Sequence, residues 1–274
     1  MSDQPGTGKS ALITGASGGI GEAFTNLLAA EGYRLIITAR SDDQLNRVAG
    51  VLSTKHQASV SPVALDLSKP DAAETLQNEL KSRNFSPDVV INNAGFGKHG
   101  RTLDTPIQEH MNMVDLNVRC LSDLTLRLLP AMLERKRGGI LNVASLAAFM
   151  PGPHMPVYHA TKAYVLSFTE ALASEYAGSG VTISALCPGY VQTGFQSRAG
   201  MEELPVLKFA PKLPAEEVAS IGWEAFKRGD RLIIPGTVNK ILAQSVRFMP
   251  RQMVSQVVRF INKPPADAPG DEPA

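Results

Sequence analysis

Tyr158 and Lys162 stand four residues apart in the stretch YHATK. On a helix that spacing puts both side chains on one face. A tyrosine phenol has an ordinary pKa of about 10 and moves protons poorly at neutral pH. A fixed ammonium nearby favours the phenolate and draws that pKa down. The pair can therefore act as a general acid and base, help that is typically worth ~10²–10⁴ in rate. Ser145 ends the apolar run GILNVAS, and its hydroxyl can hold a substrate oxygen beside Tyr158. A lone YxxxK is also an ordinary surface pair, and Ser145 alone is an ordinary strand-end hydroxyl. Their meaning depends on what else the chain supplies.

Two glycine-rich stretches flank the apolar run ALIT: GTGKS at Gly6–Ser10 and TGASGGIG at Thr14–Gly21. A phosphate loop needs a strand before it and a helix behind it, whose free N–H groups and positive end face the anion. GTGKS resembles the end of a Walker A loop but fails this test. The motif needs a glycine five residues before Gly8, where the chain has Asp3, and no helix opens behind it. TGASGGIG passes, because ALIT precedes it and Glu22–Ala30 has a helical pattern. Gly15, Gly19 and Gly21, spaced GxxxGxG, allow the tight turn and the close backbone approach that a pyrophosphate requires.

These residues must be positioned by alternating strands and helices. Apolar, β-branched runs at Ala11–Thr14, Arg34–Ala39, Ser59–Leu65, Val89–Asn92, Gly139–Ser145, Val181–Cys187 and Arg231–Ile234 read as strands, with amphipathic helical stretches between them. Most are apolar throughout, which suits strands covered on both faces. The alternation predicts right-handed crossovers and a doubly wound parallel sheet with helices on both faces, a single-domain α/β fold of Rossmann type. The expected organisation is a flexible segment over 1–9, a dinucleotide-binding catalytic domain over 10–236, a helical extension over 237–263 and a disordered Pro-rich acidic tail over 264–274.

Composition excludes little but narrows the setting. The 274 residues are 43% hydrophobic and 19% charged with a net charge of +1, which gives no global bias toward nucleic acid. Cys120 and Cys187 are expected as buried free thiols, and no His/Cys spacing suggests a metal. The first residues carry no hydrophobic leader, and no run approaches the ~20 apolar residues of a membrane span. A cytoplasmic location follows as the expectation.

Taken as one ordered series, TGASGGIG, NNAG at Asn92–Gly95, Ser145, YHATK and PGYVQT at Pro188–Thr193 resemble the short-chain dehydrogenase/reductase family. The resemblance implies a nicotinamide dinucleotide cofactor and the oxidation or reduction of an alcohol or carbonyl. It implies a proton-transfer role for Tyr158, with Lys162 lowering its pKa and bonding the cofactor ribose, and a substrate-holding role for Ser145. Asn117, in DLNV, would hold a water linking Lys162 to solvent. Gly15, Ser17, Gly19, Ile20 and Gly21 would form the pyrophosphate turn. Asp66 and Leu67 would flank the adenine, and Asn93, Ala94 and Gly95 would line the ribose side. Pro188, Gly189, Val191 and Thr193 would hold the nicotinamide end, where the oxidised ring adds a second positive charge near Tyr158.

The second strand, RLIITAR, bears on which dinucleotide is used. Ala39 stands where NAD-preferring members tend to carry an acid, and Arg40 follows, suited to a 2′-phosphate. NADP(H) is therefore expected in preference to NAD(H). Asp42 and Asp43 belong instead to a capping box, SDDQ, at the start of the next helix.

The segment from Gln196 to Pro214 is expected to close over the substrate, and Phe195, Met201, Leu204, Leu207 and Phe209 predict an apolar carbonyl or alcohol. From Arg231 to Ala266 there are six basic residues and no acid, and MVSQVVRFI repeats at helical spacing. Such a basic amphipathic helix suits three placements: an anionic membrane surface, the active-site mouth, or a subunit interface. A homo-oligomer, dimer or tetramer, is implied by the resemblance. The alternative to an enzyme is a dinucleotide-binding sensor or interaction module without turnover; the intact Ser145, Tyr158 and Lys162 favour the enzyme.

Overall fold

A computed structural model describes residues 4–202, 204 and 210–263. Leu207, Phe209 and the acidic tail lie outside the described residues. The central sheet has seven parallel strands in the order β3-β2-β1-β4-β5-β6-β9. These are β1 (Ser10–Thr14), β2 (Arg34–Ala39), β3 (Val60–Ala64), β4 (Val89–Asn92), β5 (Gly138–Val143), β6 (Val181–Leu186) and β9 (Leu232–Ile233). β1 and β4 are buried along their whole length, as apolar strands covered on both faces must be. β3 is only half-buried and carries Pro62. It lies at the sheet edge, where the missing N–H of a proline leaves no ladder bond unmade.

Helices α1 (Gly19–Ala30), α2 (Asp42–His56) and α8 (Ala215–Lys227) pack on one face of the sheet, and α3 (Ala72–Ser82), α5 (Leu121–Arg135) and α6 (Pro156–Glu175) on the other. Each face holds its own apolar cluster, one built around Phe24, Leu28 and Trp223, the other around Leu76, Leu124 and Leu129. The Trp223 ring meets Tyr33 edge-on at 5.8 Å, and its N–H donates to Glu31 Oε1 at 2.9 Å, so a large side chain is buried with its polar tip satisfied.

Residues 4–9 lie at the start of the described chain. This stretch is tied to the body: Gly6 N donates to Glu31 O at 2.7 Å, Gln4 Nε2 to Ala30 O at 3.1 Å, and Gly6 is buried against Tyr33. A second sheet was not foreseen. β7 (Tyr190–Gln192) pairs in parallel with β8 (Lys212–Pro214), with Val191 opposite Leu213. This clip fastens both ends of the segment expected to close over the substrate, which opens with the short helix α7 (Phe195–Ala199). Beyond β9 the chain forms α9 (Thr237–Ser245) and α10 (Arg251–Ile261), with Pro250 at the start of the second.

The strand order reverses between β1 and β4. In open parallel sheets the crevice beyond the carboxyl ends at this switch point is where ligands bind. The turns that follow β1, β4 and β5 carry TGASGGIG, NNAG and Ser145, so the topology brings them to one edge.

Candidate active site

A cleft of roughly 1570 Å³ opens along that edge. The glycine turn forms its floor. Gly15 has φ +66° and Gly19 φ +57°, a region L side chains rarely enter. Gly21 is required by crowding: a Cβ there would lie 2.2 Å from Gly15 O. Helix α1 begins immediately behind the turn with no side chain capping it. Its first N–H groups therefore face the cleft, a ready anion site.

Asn93 braces the turn. Its amide donates to Thr14 O at 3.0 Å and Gly15 O at 3.1 Å, while Thr14 Oγ1 accepts from Asn93 N and Ala94 N. A Cβ on Gly19 would meet Thr193 Cγ2 at 2.9 Å, so the stretch after β6 closes against the same turn. Behind it, Gly189 lets Asn239 of α9 approach: a Cβ would sit 2.7 Å from the Asn239 amide. Asn239 is buried and donates to Pro235 O at 2.7 Å. Nothing in the sequence pattern marked that asparagine, since only the folded approach to Gly189 reveals it.

At one end of the cleft lie Arg40, Asp66 and Leu67. Burial pushes the Asp66 carboxyl up, but hydrogen bonds from Ser68 and the charges of Arg40 and Lys69 outweigh it and hold the group below its ordinary value. Ser41 Oγ accepts from Gln44 N at 3.3 Å, the capping contact expected for SDDQ. Gly15, Ser17, Gly19 and Ile20 line the cleft next, followed by Asn93, Ala94 and Gly95, and Pro188, Gly189, Val191 and Thr193 line its far side. Of the expected set only Gly21 and Asn117 stand behind the lining.

Ser145, Tyr158 and Lys162 converge in the same cleft. Pro156 starts α6, its fixed φ suiting the first helical position, and the helix sets Tyr158 and Lys162 on one face. The Ser145 side chain reaches toward the Tyr158 hydroxyl and favours its ionised form. Lys162 is buried, donates to Val143 O at 2.8 Å and lies 5.9 Å from the centre of the Tyr158 ring. Burial pushes the Tyr158 phenol up to about 12 despite Ser145. It also pushes the Lys162 ammonium down to about 8. In the chain alone burial outweighs any downward pull of Lys162 on the phenol. Desolvation is the largest influence on both groups.

Asn117 sits in a π-helical turn, Asp115–Cys120, that joins α4 (Ile107–Val114) to α5. Such turns often occur at functional sites. It is fully buried; its amide donates to Phe96 O at 2.9 Å and Thr161 Oγ1 at 3.1 Å, and its Oδ1 accepts from Phe96 N at 3.1 Å. A Cβ on Gly95 would lie 3.0 Å from Asn117 Oδ1 and 3.4 Å from Lys162 Nζ, so a glycine is what lets these groups meet. His159 also lines the cleft and meets the Tyr158 ring edge-on at 6.1 Å; it is buried and donates from Nδ1 to Met150 O at 2.9 Å.

The other half of the cleft is lined by apolar side chains interspersed with polar ones such as Gln196, Arg198 and Ser245. Met155, Phe195 and Met201 wall it from the body, and Leu242, Val254 and Val258 wall it from α9 and α10. Asn262, at the end of α10, donates to Pro153 O at 3.1 Å and accepts from His99 Nε2 at 2.7 Å. The C-terminal helices thus line the mouth of the cleft, one of the three placements their sequence suited.

Residues 9–203 match the family model described as short chain dehydrogenase. The chain belongs to the short-chain dehydrogenase family. It is 35% identical over 187 residues to an uncharacterized oxidoreductase of Staphylococcus aureus, covering 68% of this chain and 80% of the relative. It is 31% identical over 193 residues to the very-long-chain 3-oxoacyl-CoA reductase of Bos taurus, covering 69% of this chain and 61% of that protein. A short-chain dehydrogenase from Sphingobium yanoikuyae in complex with NADPH superimposes with a TM-score of 0.77 at 26% identity, covering 89% of this chain and 97% of the other. As a family member the protein is an oxidoreductase acting on CH–OH or C=O groups with a nicotinamide dinucleotide. Among the described residues no helix is long and apolar enough to cross a membrane.

Proposed function

We propose that the protein reduces the carbonyl of a mid-sized apolar substrate with NADPH, or oxidises the corresponding alcohol. The observation that carries this reading is the convergence of Ser145, Tyr158 and Lys162 in one cleft whose other half carries apolar side chains. The residues fit the dinucleotide: glycines where a Cβ would collide and an uncapped helix start for the pyrophosphate. When bound, the reduced nicotinamide supplies a hydride to the carbonyl carbon.

The chain's own groups handle the oxygen. Ser145 holds it, and the Tyr158 hydroxyl donates the proton that the developing alkoxide needs. Burial keeps this phenol protonated at neutral pH, and it becomes a usable proton donor only where a neighbouring cation comes to favour its phenolate. The Lys162 ammonium, held against Val143 O, would favour the phenolate left behind, and Asn117, fixed by Phe96 and Thr161, would hold a water linking Lys162 to solvent. Arg40, at the cleft end beside Asp66, supports NADPH over NADH. Exposed apolar side chains on and before α4, Leu103, Ile107 and Met111, support a homo-oligomer.

The test is a panel of apolar ketones, aldehydes and 3-oxoacyl compounds followed by NADPH absorbance, run beside Tyr158→Phe. We expect the variant to bind NADPH as wild type does and to lose at least ~10²-fold in turnover. A variant that keeps most of its turnover removes Tyr158 from the proton-transfer role. A wild-type protein that binds NADPH and turns over none of the panel favours the sensor reading.

A further inference from the structure

We infer that α9 and α10 form a docking surface for an anionic lipid bilayer, with the apolar mouth of the cleft opening onto it. The argument begins with α10. Its apolar arc is wider than the fold covers. Val254 and Val258 are buried on the body, but Met253, Val257 and Phe260, spaced four and three residues apart, form a second stripe that faces outward. On α9, Val238, Ile241 and Leu242 repeat the pattern, and Phe248 follows in the connecting turn. Phe248 and Phe260 are 87% and 84% exposed. Single exposed apolar residues are ordinary, but two stripes on successive helices with two exposed phenylalanines exceed scattered exposure and call for a partner.

Charge selects the partner. Lys240, Arg247, Arg251 and Arg259 surround these stripes; all are exposed, and none has an ion-pair partner among the described residues. No acid lies between Arg231 and Ala266. A second copy meeting this surface about a two-fold axis would set like charges against like, since such an interface is self-complementary. An anionic membrane surface supplies both of the missing complements, an apolar layer for the stripes and negative headgroups for the basic rim. Leu242 and Val257 belong to the exposed stripes and to the cleft lining alike. The mouth therefore faces the lipid, an arrangement whose use rests on the apolar-carbonyl reading above.

Full-length protein is to be sedimented with phosphatidylcholine vesicles, with and without phosphatidylglycerol. We expect binding to the anionic vesicles that weakens as salt rises. Arg251→Gln with Arg259→Gln should weaken the partition about thirtyfold, about fivefold for each charge removed. Phe248→Ser with Phe260→Ser should abolish it, and both pairs are exposed, so the fold is spared. A tryptophan at the mouth, Val257→Trp, should be quenched by brominated lipid in anionic vesicles. No binding to anionic vesicles, or an unchanged partition in the arginine variant, overturns the docking surface. A bound but unquenched Val257→Trp overturns the placement of the mouth. A dimer in sedimentation velocity that the phenylalanine variant disperses, without vesicle binding, assigns the stripes to a second copy. None of these readouts uses turnover, so their failure leaves the oxidoreductase reading standing, and the reverse holds as well.

Discussion

Lys162 Nζ stands 5.9 Å from the centre of the Tyr158 ring and sends its hydrogen bond to Val143 O. The two groups share a helix face and a cleft, yet burial moves both away from their charged forms: the phenol up to about 12 and the ammonium down to about 8. Two buried groups that are disfavoured when charged have consequences for stability that can be measured.

Unfolded, Lys162 holds its proton to near the ordinary 10.5, whereas folded it loses it near 8. Between those values the unfolded chain binds a proton that the folded chain does not, so stability rises with pH, by of order 3 kcal/mol. Above pH 10 Tyr158 opposes this, because its folded pKa is raised and the unfolded phenol ionises first. Lys162→Met should flatten the rise between about pH 8 and 10.5 in urea unfolding of the free protein. Parallel profiles for wild type and variant would show that burying the ammonium costs nothing.

Gly21 and Gly18 lie three residues apart in one turn and should respond differently to the same change. A methyl on Gly21 runs into Gly15 O, while one on Gly18 meets nothing within 4 Å on an extended backbone. Gly21→Ala should abolish the rise in melting temperature that NADPH produces, and Gly18→Ala should retain it. A shared response would mean that the turn is not shaped by that contact.

Arg40→Ala should weaken NADPH by roughly 10- to 100-fold, the worth of a charge-assisted contact to phosphate, and leave NADH within a few-fold. Titration of both reduced dinucleotides by fluorescence reads the difference. Equal losses would make Arg40 a surface residue with no say in cofactor choice.

Beneath the cleft, Asn142 joins strands and helices through a buried polar chain. It accepts from Asn92 Nδ2 at 2.9 Å and donates to Thr169 Oγ1 at 3.0 Å. Asn142→Leu strips partners from two buried groups and should cost about 1–3 kcal/mol in denaturant unfolding. A neutral result would show that water or repacking replaces those bonds.

Much of this site was legible before folding because it lies at strand ends. An apolar run fixes the strand, the residue after it reaches the sheet edge, and TGASGGIG, NNAG, Ser145 and PGYVQT all sit at such places. What escaped had no local pattern. β7 and β8 have three residues each, too few to show a period, and pair across a long gap. The π-helical turn around Asn117 reads as ordinary helix in sequence. The roles of Asn239 and Asn262 exist only where distant loops approach them. Spacing also put Lys162 beside Tyr158 correctly but carried no information about burial, which set the direction of both pKa shifts.

Asn262 fastens the end of α10 to His99 and Pro153, two loops that leave different strands. The glycine turn, Ser145, Tyr158 and Lys162 all lie in the first two hundred residues, whereas much of the apolar wall arrives last and is tied down at Asn262, by its side-chain amide to Pro153 and its backbone carbonyl to His99. Selectivity can therefore drift, or be exchanged by grafting another terminus, while the redox machinery beneath stays as it was.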